Sequence, residues 1–184
     1  MNYFNFKNKI PINNSDKIIF YNKKYNLADT FGCLTKNGFY KIINVSKNIL
    51  NRLDNKNFAD LGSGDGRIVF WANQFFNNCV GIELSTVRHN EAIQIKNKFY
   101  NNKSISLINK DFLDYNYSNF DVIYISSRCF PDSLMEKITN KLDMELKQNT
   151  LVFTTSPLKN CDDYEIINVD QTYIHNSNLY LYHY

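Results

Sequence analysis

The chain has 184 residues, 21 lysines and arginines against 18 aspartates and glutamates, and a formal net charge of +3. That length suits one domain and leaves no room for a second of ordinary size, and a content of 43% hydrophobic and 15% aromatic residues excludes a natively disordered chain. The mild positive excess permits contact with nucleic acid without indicating it.

The opening stretch MNYFNFKNKIPINNSDK lacks an apolar run long enough for a signal peptide or a membrane span. Cys33, Cys79, Cys129 and Cys161 stand singly, with no CxxC pair and no histidine at ligand spacing, so no metal site is expected. The expectation is a soluble intracellular protein, cytoplasmic or nuclear, with reduced thiols and no membrane contact. It reads as one domain over 1–184, with an arm or lid over 1–37 and the core over 38–184.

From Gly38 onward, Phe39, Ile42, Ile43, Val45, Ile49, Leu50 and Leu53 fall mostly at helical spacing and predict a helix over 39–53. Phe58 to Leu61 reads as a strand, followed by a glycine turn, a helix over RIVFWANQFF and a second strand from Cys79 to Glu83. A helix over 86–100, a strand over 105–109 and a buried strand over 120–127 come next. Pro131 suits the first turn of a helix running to about Lys147, since its missing N–H is harmless there. A fifth strand covers 150–156, and YEIINV and NLYLYHY suggest an antiparallel pair at the sheet edge. The alternation predicts a Rossmann-like α/β fold: a mostly parallel twisted sheet with helices on both faces and an antiparallel C-terminal edge pair. Such sheets bind ligands at the carboxyl ends of their strands.

The run Asp60-Leu61-Gly62-Ser63-Gly64-Asp65-Gly66 lies between an apolar strand and a helix, which is where a chemical motif belongs. Gly62 and Gly64 allow a sharp turn and close approach of a ligand, free N–H groups at the helix start are expected to hold an anionic group, and Gly62, Ser63 and Gly64 are expected among the cofactor-binding residues. For S-adenosyl-L-methionine that group is the methionine carboxylate. Asp60 at the strand end suits the ammonium of the same ligand. Glu83, closing the second strand, suits the two ribose hydroxyls. Asp111 and Phe112, after the third strand, suit the adenine amino group and ring face.

Any one of these acids alone reads equally well as a solvated turn carboxylate. Three at successive strand ends, matching three parts of one ligand, do not. A dinucleotide fingerprint would need glycine or alanine where Arg67 stands, and no GKS or GKT follows for a phosphate loop.

DLGSGDGRIVFWAN with GIEL resembles the class I, seven-strand S-adenosylmethionine-dependent methyltransferases, and most of all those acting on protein lysines. Further segments resemble the disruptor-of-telomeric-silencing class of histone-lysine methyltransferases. Thr30-Phe31-Gly32 is similar to the element with which that family lids its cofactor, with Cys33 in place of the family's glutamate. Ser126-Ser127-Arg128-Cys129-Phe130 stands where the family has Asn-Asn-Phe-Ala-Phe beside the methyl-transfer site, and Tyr173 and Tyr180 match a tryptophan and a lysine-channel tyrosine.

The resemblance implies Phe31 and Gly32 at the cofactor, and Ser126, Phe130 and Tyr180 at the reacting end. It also implies a protein substrate, histone or other. No Asp/Asn-Pro-Pro-aromatic motif for adenine methylation follows the fourth strand, where ISSRCF stands. Nucleic-acid or small-molecule methylation and a non-catalytic cofactor-binding scaffold stay open beside the protein-lysine reading.

Overall fold

The computed structural model describes residues 34–100, 103–171 and 174–184, and the side chains of 170, 171 and 174–176 are not described. The first helix, α1, spans Lys36–Leu50. Thr35 caps its start, its hydroxyl accepting the Gly38 N–H at 3.0 Å, and the helix stops where Asn51 takes a φ of 62°. It therefore begins and ends earlier than the apolar spacing predicts, with Leu53 buried beyond it. Phe39, Ile42 and Ile43 form its buried face, and the Phe39 ring meets Phe58 edge-on at 6.3 Å.

Strand β1 (Asn57–Leu61) runs into the glycine turn and helix α2 (Arg67–Ala72). That helix is shorter than the predicted RIVFWANQFF. The Phe75 and Phe76 N–H groups both donate to Ala72 O, which tightens the chain so that Phe76 packs on Phe58 at 5.1 Å between ring centres. Then follow β2 (Asn78–Glu83), α3 (Thr86–Phe99), β3 (Ile105–Asn109), β4 (Val122–Ile125), α4 (Asp132–Glu145), β5 (Leu151–Thr154), β6 (Glu165–Gln171) and β7 (Ile174–His183).

β4 is shorter than 120–127 because its flanks bond elsewhere. Asp121 turns its carboxylate to the Asn57 N–H, and the Ser127 N–H leaves the ladder for Thr155 Oγ1. Pro131 sits at the cap of α4 rather than in its first turn.

The seven strands form one sheet in the order β3-β2-β1-β4-β5-β7-β6. All neighbours up to β5 are parallel, and β7 inserts antiparallel between β5 and β6. This is the Rossmann-like mixed sheet expected from the sequence. Residues of α1, α2 and α3 pack with Phe58, Tyr124 and Leu181 in one buried cluster, and residues of α4 pack with Leu61, Ile123 and Tyr182 in a second. The strands alternate between the two clusters, so both faces of the sheet are covered. The order reverses between β1 and β4, and a crevice for a ligand opens at the carboxyl ends of strands on either side of such a reversal.

Candidate functional site

The glycine turn follows β1 at that reversal. Gly62, Gly64 and Gly66 take φ values of 85°, 54° and 78°, a left-handed region that favours glycine. The first three N–H groups of the turn are bonded to the neighbouring strand. Gly62 N–H and Ser63 N–H both donate to Ile82 O, at 2.8 and 3.0 Å, and Gly64 N–H donates to Glu83 Oε2 at 2.8 Å. The neighbouring strand has taken up these three groups, because β2 ends alongside the turn and the Ile82 carbonyl and Glu83 carboxylate face it. Asp65 accepts from the Arg67 backbone N–H and, at 2.6 Å, from its guanidinium, closing the turn against α2.

The Ser63 side chain lies over Gly81 of β2. A Cβ at Gly81 would stand 2.7 Å from Ser63 Oγ and 2.9 Å from the Val69 side chain. Gly81→Ala is therefore expected to destabilise the protein by about 1–3 kcal/mol, read as a lowered Tm, because the turn must be pushed off the strand.

The acidic residues at the rim behave differently from one another. Glu83 is 4% exposed, and its second oxygen accepts the Ser85 N–H at 2.7 Å, so its carboxylate bridges the glycine turn and the start of α3. Asp60 is 2% exposed, with no hydrogen-bond donor on its carboxylate among the described residues. Burial, with Glu83 and Asp65 adding like-charge repulsion, holds its pKa well above the usual carboxylate range. Among the described residues no cation pairs with it. Asp111 is buried at the end of β3 and caps the short 3-10 turn Phe112–Asp114, accepting the Leu113 N–H at 3.0 Å.

Apolar side chains complete the rim. The Phe112 ring stacks on Phe130 at 5.8 Å, and Phe130 reaches to 3.9 Å from where a Gly62 Cβ would stand. These three residues, from three separate loops, are thus brought together. Leu84, 41% exposed, and Val87 follow Glu83 and leave apolar surface beside the acids; sequence reasoning passed over both, although an exposed leucine directly after a strand-end acid was a usable signal.

Ser126 directly follows β4 at the rim. Tyr180 pairs in register with Thr154, the last residue of β5, and its ring meets Tyr164 rather than Phe130. No ring contact joins the two aromatics expected to share a channel. Phe31, Gly32, Cys33 and Tyr173 lie outside the described residues.

The ANTKMT methyltransferase domain matches residues 60–157, from the acid that opens the glycine turn to beyond β5, more than half of the chain. The chain belongs to the ANTKMT methyltransferase domain family. Membership of that family bears out S-adenosyl-L-methionine as the cofactor expected of an ANTKMT methyltransferase domain with this rim.

Solved structures share its fold at low identity. An RNA methyltransferase from Salinibacter ruber in complex with S-adenosyl-L-homocysteine is 18% identical, with a TM-score of 0.62 over 78% of this chain and 90% of that one. The tRNA (m1A58) methyltransferase TrmI from Aquifex aeolicus is 16% identical, with a TM-score of 0.62 over 84% and 71%. A SAM-dependent methyltransferase from Thiobacillus denitrificans in complex with S-adenosyl-L-homocysteine is 16% identical, with a TM-score of 0.55 over 79% and 56%. No curated protein matches the chain by sequence. The disruptor-of-telomeric-silencing likeness is not singled out by these matches. No helix among the described residues is long and apolar enough to cross a membrane.

Proposed function

We propose that this domain transfers a methyl group from S-adenosyl-L-methionine to the amine of a protein lysine, in a histone or another protein. The observation that carries the cofactor half is Asp60, a buried carboxylate at the end of β1 with no donor among the described residues, where an ammonium would supply the missing charge. Glu83 would accept from the ribose hydroxyls, Asp111 from the adenine amino group, and Phe112 with Leu84 and Val87 would cover the base. With the N–H groups of Gly62, Ser63 and Gly64 bonded to β2, the turn serves by close approach of its backbone. Phe31 and Gly32 are assigned to the cofactor by resemblance alone.

When bound, S-adenosyl-L-methionine supplies an electrophilic methyl carbon on a positively charged sulfur. The protein's task is to align a neutral amine with it and exclude water, and alignment of this kind is worth about 7–11 kcal/mol in favourable cases. Phe130, packed over the glycine turn, and Tyr180, on the rim beyond β5, would form apolar surface that disfavours the ammonium form of a lysine. Ser126, at the end of β4, would stand beside the reacting end. The lysine loses its proton to solvent, so no side chain is required as a general base.

The acceptor assignment rests on DLGSGDGR, which resembles protein-lysine methyltransferases, and on the absence of an Asp/Asn-Pro-Pro-aromatic motif after β4. Cell extract incubated with the protein and methyl-labelled cofactor, then treated with protease or nuclease, tests it. Label released by protease and retained through nuclease is the expected result. Label confined to nuclease-sensitive material or to small molecules overturns the lysine reading.

A further inference from the structure

The loop after β4 carries a cation that the cofactor assignment leaves unused. Arg128 is exposed, two residues before Phe130 in the chain. Its backbone N–H and that of Ser127 donate to Thr155 Oγ1 at 3.0 and 2.8 Å, while the Ser156 N–H donates to Ser127 Oγ at 3.1 Å. These bonds tie the loops after β4 and β5 together, so the base of the arginine is held firmly.

From there the guanidinium reaches to Ser177 Oγ on β7. Because Tyr180 pairs with the last residue of β5, Ser177 lies past the carboxyl end of that strand, on the side of the sheet's rim that carries the glycine turn. Arg52 and Arg67 hold Asp54 and Asp65, but Arg128 meets a hydroxyl and no carboxylate among the described residues.

We propose that Arg128 determines acceptor specificity by binding a carboxylate of the substrate, so that the preferred target is a lysine with an aspartate or glutamate close by in its chain. The inference rests on the protein-lysine reading. A lysine approaching this rim meets two positive charges, the guanidinium and the cofactor sulfonium. An acidic neighbour in the same segment offsets that repulsion and forms a forked pair with the free N–H groups of Arg128, a geometry lysine could not supply in its place. Arg128 acts on the segment that carries the amine and takes no part in the displacement.

The test is a set of synthetic lysine peptides carrying aspartate, asparagine or lysine at each flanking position, incubated with the full chain and methyl-labelled cofactor. The wild-type protein is expected to label acid-flanked peptides about three- to tenfold better in kcat/KM, mostly through KM, the range of a partly exposed charge pair. Arg128→Gln should erase the preference and Arg128→Glu should turn it toward lysine-flanked peptides. Titration of Arg128→Gln with S-adenosyl-L-homocysteine should show unchanged affinity.

Equal labelling of all peptides by the wild type overturns the inference and leaves the lysine reading intact. Weakened S-adenosyl-L-homocysteine binding also overturns it, by making Arg128 a cofactor residue. If no lysine peptide is labelled, the protein-lysine reading fails and this inference falls with it.

Discussion

Glu83→Ala is expected to lower both the stability of the protein and its affinity for S-adenosyl-L-homocysteine. The carboxylate accepts one N–H from the glycine turn and one from the start of α3, each inside the structure. Removing it leaves two donors without acceptors, at about 1–3 kcal/mol for each that water does not reach, which lowers Tm by roughly 4–15 °C in a chain of this size. The ribose bonds are lost as well, so the dissociation constant measured by calorimetry should rise about tenfold or more. Glu83→Gln keeps the shape and one accepting oxygen but turns an NH₂ group toward the other donor. Its stability should fall between the two. Unchanged affinity in Glu83→Ala would reject the ribose assignment even if stability fell.

Asp60→Asn is expected to move stability the other way. The two carboxylates are similarly buried at the ends of neighbouring strands, yet among the described residues Asp60 has no donor to compensate its charge and faces Glu83 and Asp65. Its folded pKa lies well above the unfolded value, so between the two the folded protein binds a proton that the unfolded chain releases. The contribution of Asp60 to stability is therefore fully present below the ordinary carboxylate range. It is lost as pH rises through the raised value.

Asparagine carries no charge, and the cofactor-free variant should melt above the wild type at pH 8, with the difference vanishing near pH 4. The same substitution removes the partner of the ligand's ammonium, and S-adenosyl-L-homocysteine should bind about tenfold or more weakly, the scale of one charge-assisted hydrogen bond. Melting curves with and without ligand across pH read both effects. A variant that is less stable at pH 8, or that binds as well as the wild type, would show that Asp60 does not await a cation.

The element order was legible because its signals are local. Alternation of apolar strands and helices and the glycines of the turn act within a few residues of one another. Element ends were misjudged where a distant partner decided them. The early end of α2 answers to Phe58, and the early end of β4 answers to Thr155. At the site, the acids at three strand ends were visible as residue types at expected places. Their different states were not, since donors to Glu83 come from the turn and from Ser85, and the isolation of Asp60 depends on what surrounds it.

The sequence by itself determined a Rossmann-like α/β domain with its glycine turn at the ligand crevice, because hydrophobic period and turn chemistry are short-range properties of the chain. Only the tertiary structure decided that the turn's N–H groups are spent on β2, that Glu83 is braced while Asp60 is not, and that Arg128 reaches Ser177, a residue 49 positions away. Hydrogen-bond partnership and burial depend on which segments the sheet brings side by side, and no local pattern carries that information.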